Sequence, residues 1–121
     1  MFTVIVTGSR DLTDPKKVWD ELGLLVIKQG SLLVRHGDCP TGADRFASIW
    51  CANFYRDHDI YEIKHPADWD KYGKAAGPRR NREMAQAGAD LCLAFPLGES
   101  RGTWNCVNEC KKAGIPVKVI R

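Results

Sequence analysis

The sequence predicts an α/β domain built on a mostly parallel β-sheet with helices on both faces. Three observations lead there. Five short apolar, β-branched runs recur along the chain, segments of helical period lie between them, and the runs are close to continuously apolar, as strands buried on both faces are.

The elements follow in order. Phe2 to Val6 reads as the first strand. Asp14 before Pro15 supplies a cap and a first-turn proline for a helix whose inward face carries Trp19, Leu22, Leu25 and Val26 and which ends near Gly30. Ser31 to Arg35 is the second strand. Phe46, Ile49, Trp50 and Phe54 share a face of the next helix, where Thr41 can cap and Asp44, three residues later, can answer as in a capping box. After the third strand, Ile60 to Lys64, the stretch His65 to Gly77 is long, polar and irregular, and Pro78 reads as a helix start. Leu91 to Phe95 is the fourth strand. A last helix opens near Trp104 and stops at Gly114, with Pro116 barring continuation, before the fifth strand, Val117 to Ile120. Strands and helices alternating in this way connect through right-handed crossovers, which makes a single three-layer, Rossmann-like sheet the expected architecture.

At 121 residues and 44% hydrophobic content the chain suits one domain, residues 1–121, and no repeat or linker offers a second one a beginning. The net charge is +3, with basic residues spread along the chain, which argues against a long nucleic-acid footprint. The apolar runs fall far short of the roughly 20 residues of a membrane span, and the first strand begins where a signal peptide would lie. Five cysteines in an odd set without CxxC spacing point to a reducing, cytoplasmic setting. Cys106 and Cys110 are four apart and share a helix face. A metal site with His36 or Cys39 is the functional reading of that pair and buried free thiols the ordinary one, so no metal is expected.

In an open parallel sheet the loops leaving the carboxyl ends of the strands gather on one edge. Four such loops here carry phosphate-binding chemistry. The first, Thr7-Gly8-Ser9-Arg10, combines a glycine, free amides, a hydroxyl and a guanidinium. It is neither GxGxxG nor GxxxxGK[ST], which disfavours an ordinary dinucleotide enzyme, kinase or GTPase, and no cofactor is expected. The second holds Gly37, Asp38, Thr41, Gly42 and Asp44; a capped turn explains Thr41 and Asp44 but not two glycines and the extra acid Asp38, which suits ribose hydroxyls or ring nitrogens. The third sets Arg79, Arg80 and Arg82 around Asn81 just after Pro78. A helix N-terminus carries about half a positive charge, so cations there cost a few tenths to about 1 kcal/mol and call for an anion. Glu83 can offset one arginine and solvent another, and phosphate on Arg79 or Arg80 is the favoured alternative. The fourth loop, with Gly98, Glu99, Ser100, Arg101, Gly102 and Thr103, repeats the combination of glycine, hydroxyl and arginine. Trp104, Trp69 and Tyr72 are candidates for base stacking, against the plainer roles of core residue and loop anchor.

The motifs GSRDLTD, HGDCPTGADRFA, HPADW, GPRRNREM, LAFPLGESRGT and AGIPV, spread over nearly the whole chain, resemble the YspA-like, cpYpsA-related branch of the SLOG superfamily, which joins the Smf/DprA and LOG families. The resemblance implies strand order 3-2-1-4-5 and a pocket for nucleotides or nucleotide-derived molecules lined by Gly8, Ser9, Arg10, Gly42, Asp44, Arg80, Asn81, Gly102 and Thr103. It also implies a homodimer, as relatives often form. LOG enzymes cleave the N-glycosidic bond of nucleoside monophosphates with the glutamate of a PGGxGTxxE signature. Here Leu97 replaces a glycine, three residues separate Gly98 from Gly102, and Asn105 and Cys106 stand where the acid would fall. Asp44 and Glu99 are weak substitutes for it, and Glu109 lies one turn further on.

A binding or sensing module for a phosphate-bearing, nucleotide-type small molecule is therefore the leading expectation. An N-glycosidase or phosphoribohydrolase, which needs a carboxylate beside the anomeric carbon, stands second. Single-stranded DNA binding in the Smf/DprA manner stands third, with the short chain and modest charge against it.

Overall fold

The computed structural model describes residues 1–121. In chain order the elements are β1 (Thr3–Gly8), α1 (Lys16–Gln29), β2 (Ser31–His36), α2 (Gly42–Phe54), β3 (Asp59–Lys64), α3 (Trp69–Tyr72), a 3-10 turn (Gly73–Ala75), α4 (Ala76–Ala87), β4 (Leu91–Phe95), α5 (Arg101–Lys112) and β5 (Val117–Val119). The five strands form one all-parallel sheet in the order 3-2-1-4-5.

Side-chain alternation along β1 divides the interior into two cores. Val4 and Val6 point to the side where α1 contributes Val18, Leu22 and Val26 and α2 contributes Ala47 and Trp50. Ile5 points to the other side, among Met84 and Ala85 of α4, Cys92 of β4, and Cys106 and Cys110 of α5. Continuous burial, expected of every strand, holds for β1 and β4. In β2 only alternate residues are buried, because Leu32, Val34 and His36 face the core under α1 and α2 while Leu33 and Arg35 are half-buried.

The start of α1 is as its sequence reads. Asp14 Oδ1 accepts the Lys16 N–H at 3.0 Å, and the carbonyl of Pro15 accepts the Trp19 N–H at 2.9 Å. Gly114, at φ +77, ends the last helix ahead of Pro116. The inward faces differ from the expected ones. Trp19 and Phe46 flank the α1–α2 seam, packed edge to face at 6.4 Å, with Trp19 Nε1 donating to the Phe46 carbonyl. The buried face of α2 is Ala43, Ala47, Trp50 and Cys51, and Phe54 is exposed. Small residues face the sheet because the helix lies close to it, as the crowding around Gly8 shows below.

The segment His65 to Gly77 is not irregular throughout. Asp68 caps the short α3 by accepting the Lys71 N–H at 3.1 Å, and α4 begins at Ala76. Pro78 is thus the third residue of α4 and not its first. It is tolerated there because first-turn N–H groups have no intrahelical acceptor to lose.

After β3 the chain crosses back to lay β4 beside β1, on the side away from β2. Strand order reverses at that point, and Gly8 pairs in register with Phe95, so the β1 and β4 loops leave the sheet side by side. No helix is long and apolar enough to cross a membrane.

Candidate functional site

A hollow of about 470 Å³ opens at this reversal, within the size range of small-molecule pockets. Each of the four loops singled out in the sequence contributes to its wall.

Gly8, Ser9 and Arg10 form the side that follows β1. Gly8 is there for close approach: a Cβ would come 2.5 Å from the Ala43 Cβ and 2.9 Å from the Phe95 carbonyl oxygen. Ser9 is buried, its amide donating to the Phe95 carbonyl at 3.0 Å and its hydroxyl accepting the Asp11 N–H at 3.0 Å. Its carbonyl accepts the Ala43 N–H, which docks the start of α2 onto the β1 loop. Gly42, at φ +76, lies against that carbonyl and behind the wall, where it serves the junction and does not line the hollow.

In the β2 loop, Gly37 and Asp44 line the hollow while Asp38 and Thr41 are exposed outside it. The capping box does not form. Thr41 occupies the cap position without a side-chain bond, and Asp44 turns inward to accept the Cys39 N–H at 3.4 Å. His36, fully buried, meets Glu62 at 2.6 Å through Nε2, and its Nδ1 accepts the Asp38 N–H at 3.0 Å, which holds Asp38 at φ +55. Gly37 leaves room for a guanidinium, since a Cβ there would overlap Arg80.

Burial pushes the Asp44 carboxyl above its ordinary 3.8, against the opposing pull of His36, Arg80 and the Cys39 amide. A carboxyl raised on folding weakens the fold as pH climbs from the ordinary value through the folded one, and costs nothing below both. Asp44→Asn, which cannot ionise, should therefore match or exceed the wild-type stability at pH 7. Paired denaturation curves should show that advantage fading toward pH 3.8; a difference that does not change with pH contradicts this account of Asp44.

The arginines of α4 part company. Successive helical residues point about 100° apart, and only Arg80 reaches the hollow. Its Nη1 donates to the Gly37 and His65 carbonyls and its Nε to Asn81 Oδ1 at 2.8 Å. Asn81, also buried, passes the link on through Nδ2 to Asn105 Oδ1 at 2.8 Å and the Gly102 carbonyl at 3.3 Å. Arg79 lies over the Tyr72 ring at 4.0 Å, outside the hollow, and Arg82 pairs with Glu109 at 3.6 Å, so Glu83 is not the offsetting acid. Because α4 begins at Ala76, Arg79 only closes its first turn and Arg80 and Arg82 lie past it, where the helix dipole has largely faded. Their number at that turn needs no anion.

The β4 loop is different. Gly98 at φ +66 and Ser100 at φ +50 wind the backbone so that α5 starts at the wall, and Ser100 Oγ and Thr103 Oγ1 bond each other at 2.6 Å. The Gly102 and Thr103 N–H groups meet no acceptor within the protein. Unlike Gly8, Gly37 and Gly42, Gly102 has nothing within 4 Å of where a Cβ would stand. No packing of the chain on itself asks for glycine there. Glu99 and Arg101 pair at 3.6 Å with side chains 85% and 91% exposed, so Glu99 does not turn inward as a catalytic acid would.

None of the three aromatic candidates lines the hollow. Trp69 stands by Arg10, Tyr72 under Arg79, and Trp104 faces Arg121 at 5.3 Å. The lining also includes Thr7, Cys39 and Leu97, which belong to the loops but were not singled out as site residues, and Asp11 and Met84, which lie outside them. Met84 is legible only once α4 is known to face this edge. Cys106 and Cys110 do share an inward face, but their neighbour is Cys92 of β4 and not His36 or Cys39. All five cysteines are free thiols, and no group of three or more His, Cys, Asp or Glu side chains is arranged to hold a metal ion.

A family model described as YAcAr, the YspA, cpYpsA-related SLOG family, matches residues 2–72. The Gene 61 protein of Mycobacterium phage D29 is 45% identical over 119 residues, which cover 97% of this chain and 94% of that protein. Among solved structures, the C-terminal domain of a hydrogenase from Pyrococcus furiosus is similar with a TM-score of 0.58 at 15% identity, covering 99% of this chain and 92% of that one. At that identity the likeness speaks to the fold alone.

Proposed function

The chain belongs to the YspA, cpYpsA-related SLOG family, and from that premise we propose that it binds a phosphate-bearing nucleotide or nucleotide-derived small molecule in the hollow, as a cytoplasmic sensing or sequestering module. The observation that carries this reading is the start of α5, where the Gly102 and Thr103 amides are unpaired and the glycine is unexplained by the fold. Backbone N–H groups at a helix N-terminus favour an anion. Arg10 shares the same hollow, and the buried Asp44 carboxyl supplies a hydrogen-bonding group for the sugar or base.

Thermal shift and native mass spectrometry against mono-, di-, cyclic and dinucleotides test it. A ligand at a hundred times its Kd should add about 2.7 kcal/mol of stability, and a flat response across the whole panel would sink the reading. A second reading, hydrolysis of the N-glycosidic bond, is favoured by the placement of Asp44 in the hollow; Glu99, also on its wall, is exposed and paired with Arg101. The same spectra distinguish the two, because a sensing module returns its ligand intact and a glycosidase releases free base.

A further inference from the structure

Of the three arginines that line the hollow, Arg10 alone has neither a side-chain hydrogen bond nor an ion pair. Arg80 is bonded to Gly37, His65 and Asn81, and Arg101 is paired with Glu99. Arg10 lines the hollow, is exposed, and takes part in no ion pair or side-chain hydrogen bond; its guanidinium lies over the Trp69 ring, 5.6 Å from the centroid. Trp69 is itself unusual. It is 48% exposed on α3, a short helix that buries none of its residues. What seats the ring is Gly77, where a Cβ would come 3.2 Å from Trp69 Cη2.

We propose that Trp69 is a positioning residue for anion binding in the hollow, holding the Arg10 guanidinium over its ring so that N–H donors stay free for a phosphate group. The inference rests on the binding reading above and deepens it. A guanidinium held over an aromatic ring by a cation–π contact gives up no N–H group to a competing acceptor. The contact also restricts the side chain before the ligand arrives, which lowers the ordering cost of binding. Gly77, Trp69 and Arg10 thus form a chain of contacts from α4 to the mouth of the site.

The test is calorimetric titration of the full chain with inorganic phosphate, the ribonucleoside 5′-monophosphates and the matching unphosphorylated nucleosides. The proteins compared are wild type, W69A, W69F, R10A and the R10A/W69A pair. W69A should weaken monophosphate binding roughly two- to fivefold, the range of an exposed cation–π contact, while nucleoside binding stays unchanged. W69F, which keeps an aromatic face, should recover most of the loss. On the R10A background W69A should add nothing, because the contact it removes is already gone. An equal loss on that background, or an equal loss for the nucleosides, means that the ring only packs and overturns the proposal. Binding by wild type that W69A leaves unaltered overturns this inference alone, whereas no binding of any phosphate compound by wild type overturns the binding reading and this inference together.

Discussion

Replacing Gly42 by alanine should destabilise the protein by roughly 3 kcal/mol or more, which for a domain of this size lowers the melting temperature by about 10 °C. Two costs add. At φ +76 an L side chain is strained wherever it stands. Here it would also press on the Ser9 carbonyl oxygen and come 2.7 Å from the Arg10 Cα, both backbone atoms that cannot swing away. The Ser9 carbonyl accepts the Ala43 N–H, so the clash falls on the joint between α2 and the β1 loop. Chemical denaturation of Gly42→Ala beside wild type measures the loss, and a midpoint within experimental error of wild type would show that the joint yields more easily than this. Arg10 sits on that loop, so ligand binding should fall along with stability.

How much of this could be read in the sequence depends on the kind of physics involved. Strand existence and order of elements were legible because β-branched runs of strand length between helical periods have few other readings. The convergence of the loops followed from topology, and Gly8, Ser9, Arg10, Gly37, Asp44, Arg80, Asn81 and the Gly98 to Thr103 stretch do surround one hollow. What was not legible needed tertiary contacts. The spacing of Thr41 and Asp44 satisfies a capping box, yet Asp44 turns toward Cys39, with Arg80 close by, because Gly37 leaves that space open. The stretch through Gly73 and Gly77 has no apolar period, so the start of α4 is hidden in the sequence and Pro78 reads as its first residue. Arg79, Arg80 and Arg82 look like one basic cluster, although helical geometry alone forbids all three from facing one site. On α2, size misled: Phe46 and Phe54 outweigh Ala43 and Ala47 in any hydrophobic count, but a helix lying this close to a sheet turns its small residues inward.

Gly102→Ala should part from Gly42→Ala by leaving the fold unharmed while it weakens the ligand. Alanine is preferred to glycine within a helix by roughly 0.5–1 kcal/mol, and a Cβ at this position meets nothing within 4 Å, so the melting temperature should stay level or rise by a few degrees. A ligand whose anion approaches the Gly102 and Thr103 amides would meet the new methyl group, and its affinity should drop about tenfold or more, the equivalent of one lost charge-assisted hydrogen bond. The two glycines separate two roles, since Gly42 answers to the chain's own packing and, on the proposed binding reading, Gly102 answers to the ligand. Melting curves with and without the tightest nucleotide of the panel read both quantities from one sample. If Gly102→Ala keeps wild-type affinity, the start of α5 is not where the anion sits, and Arg10, the one arginine of the hollow with no ion pair or side-chain hydrogen bond, becomes the group to test next.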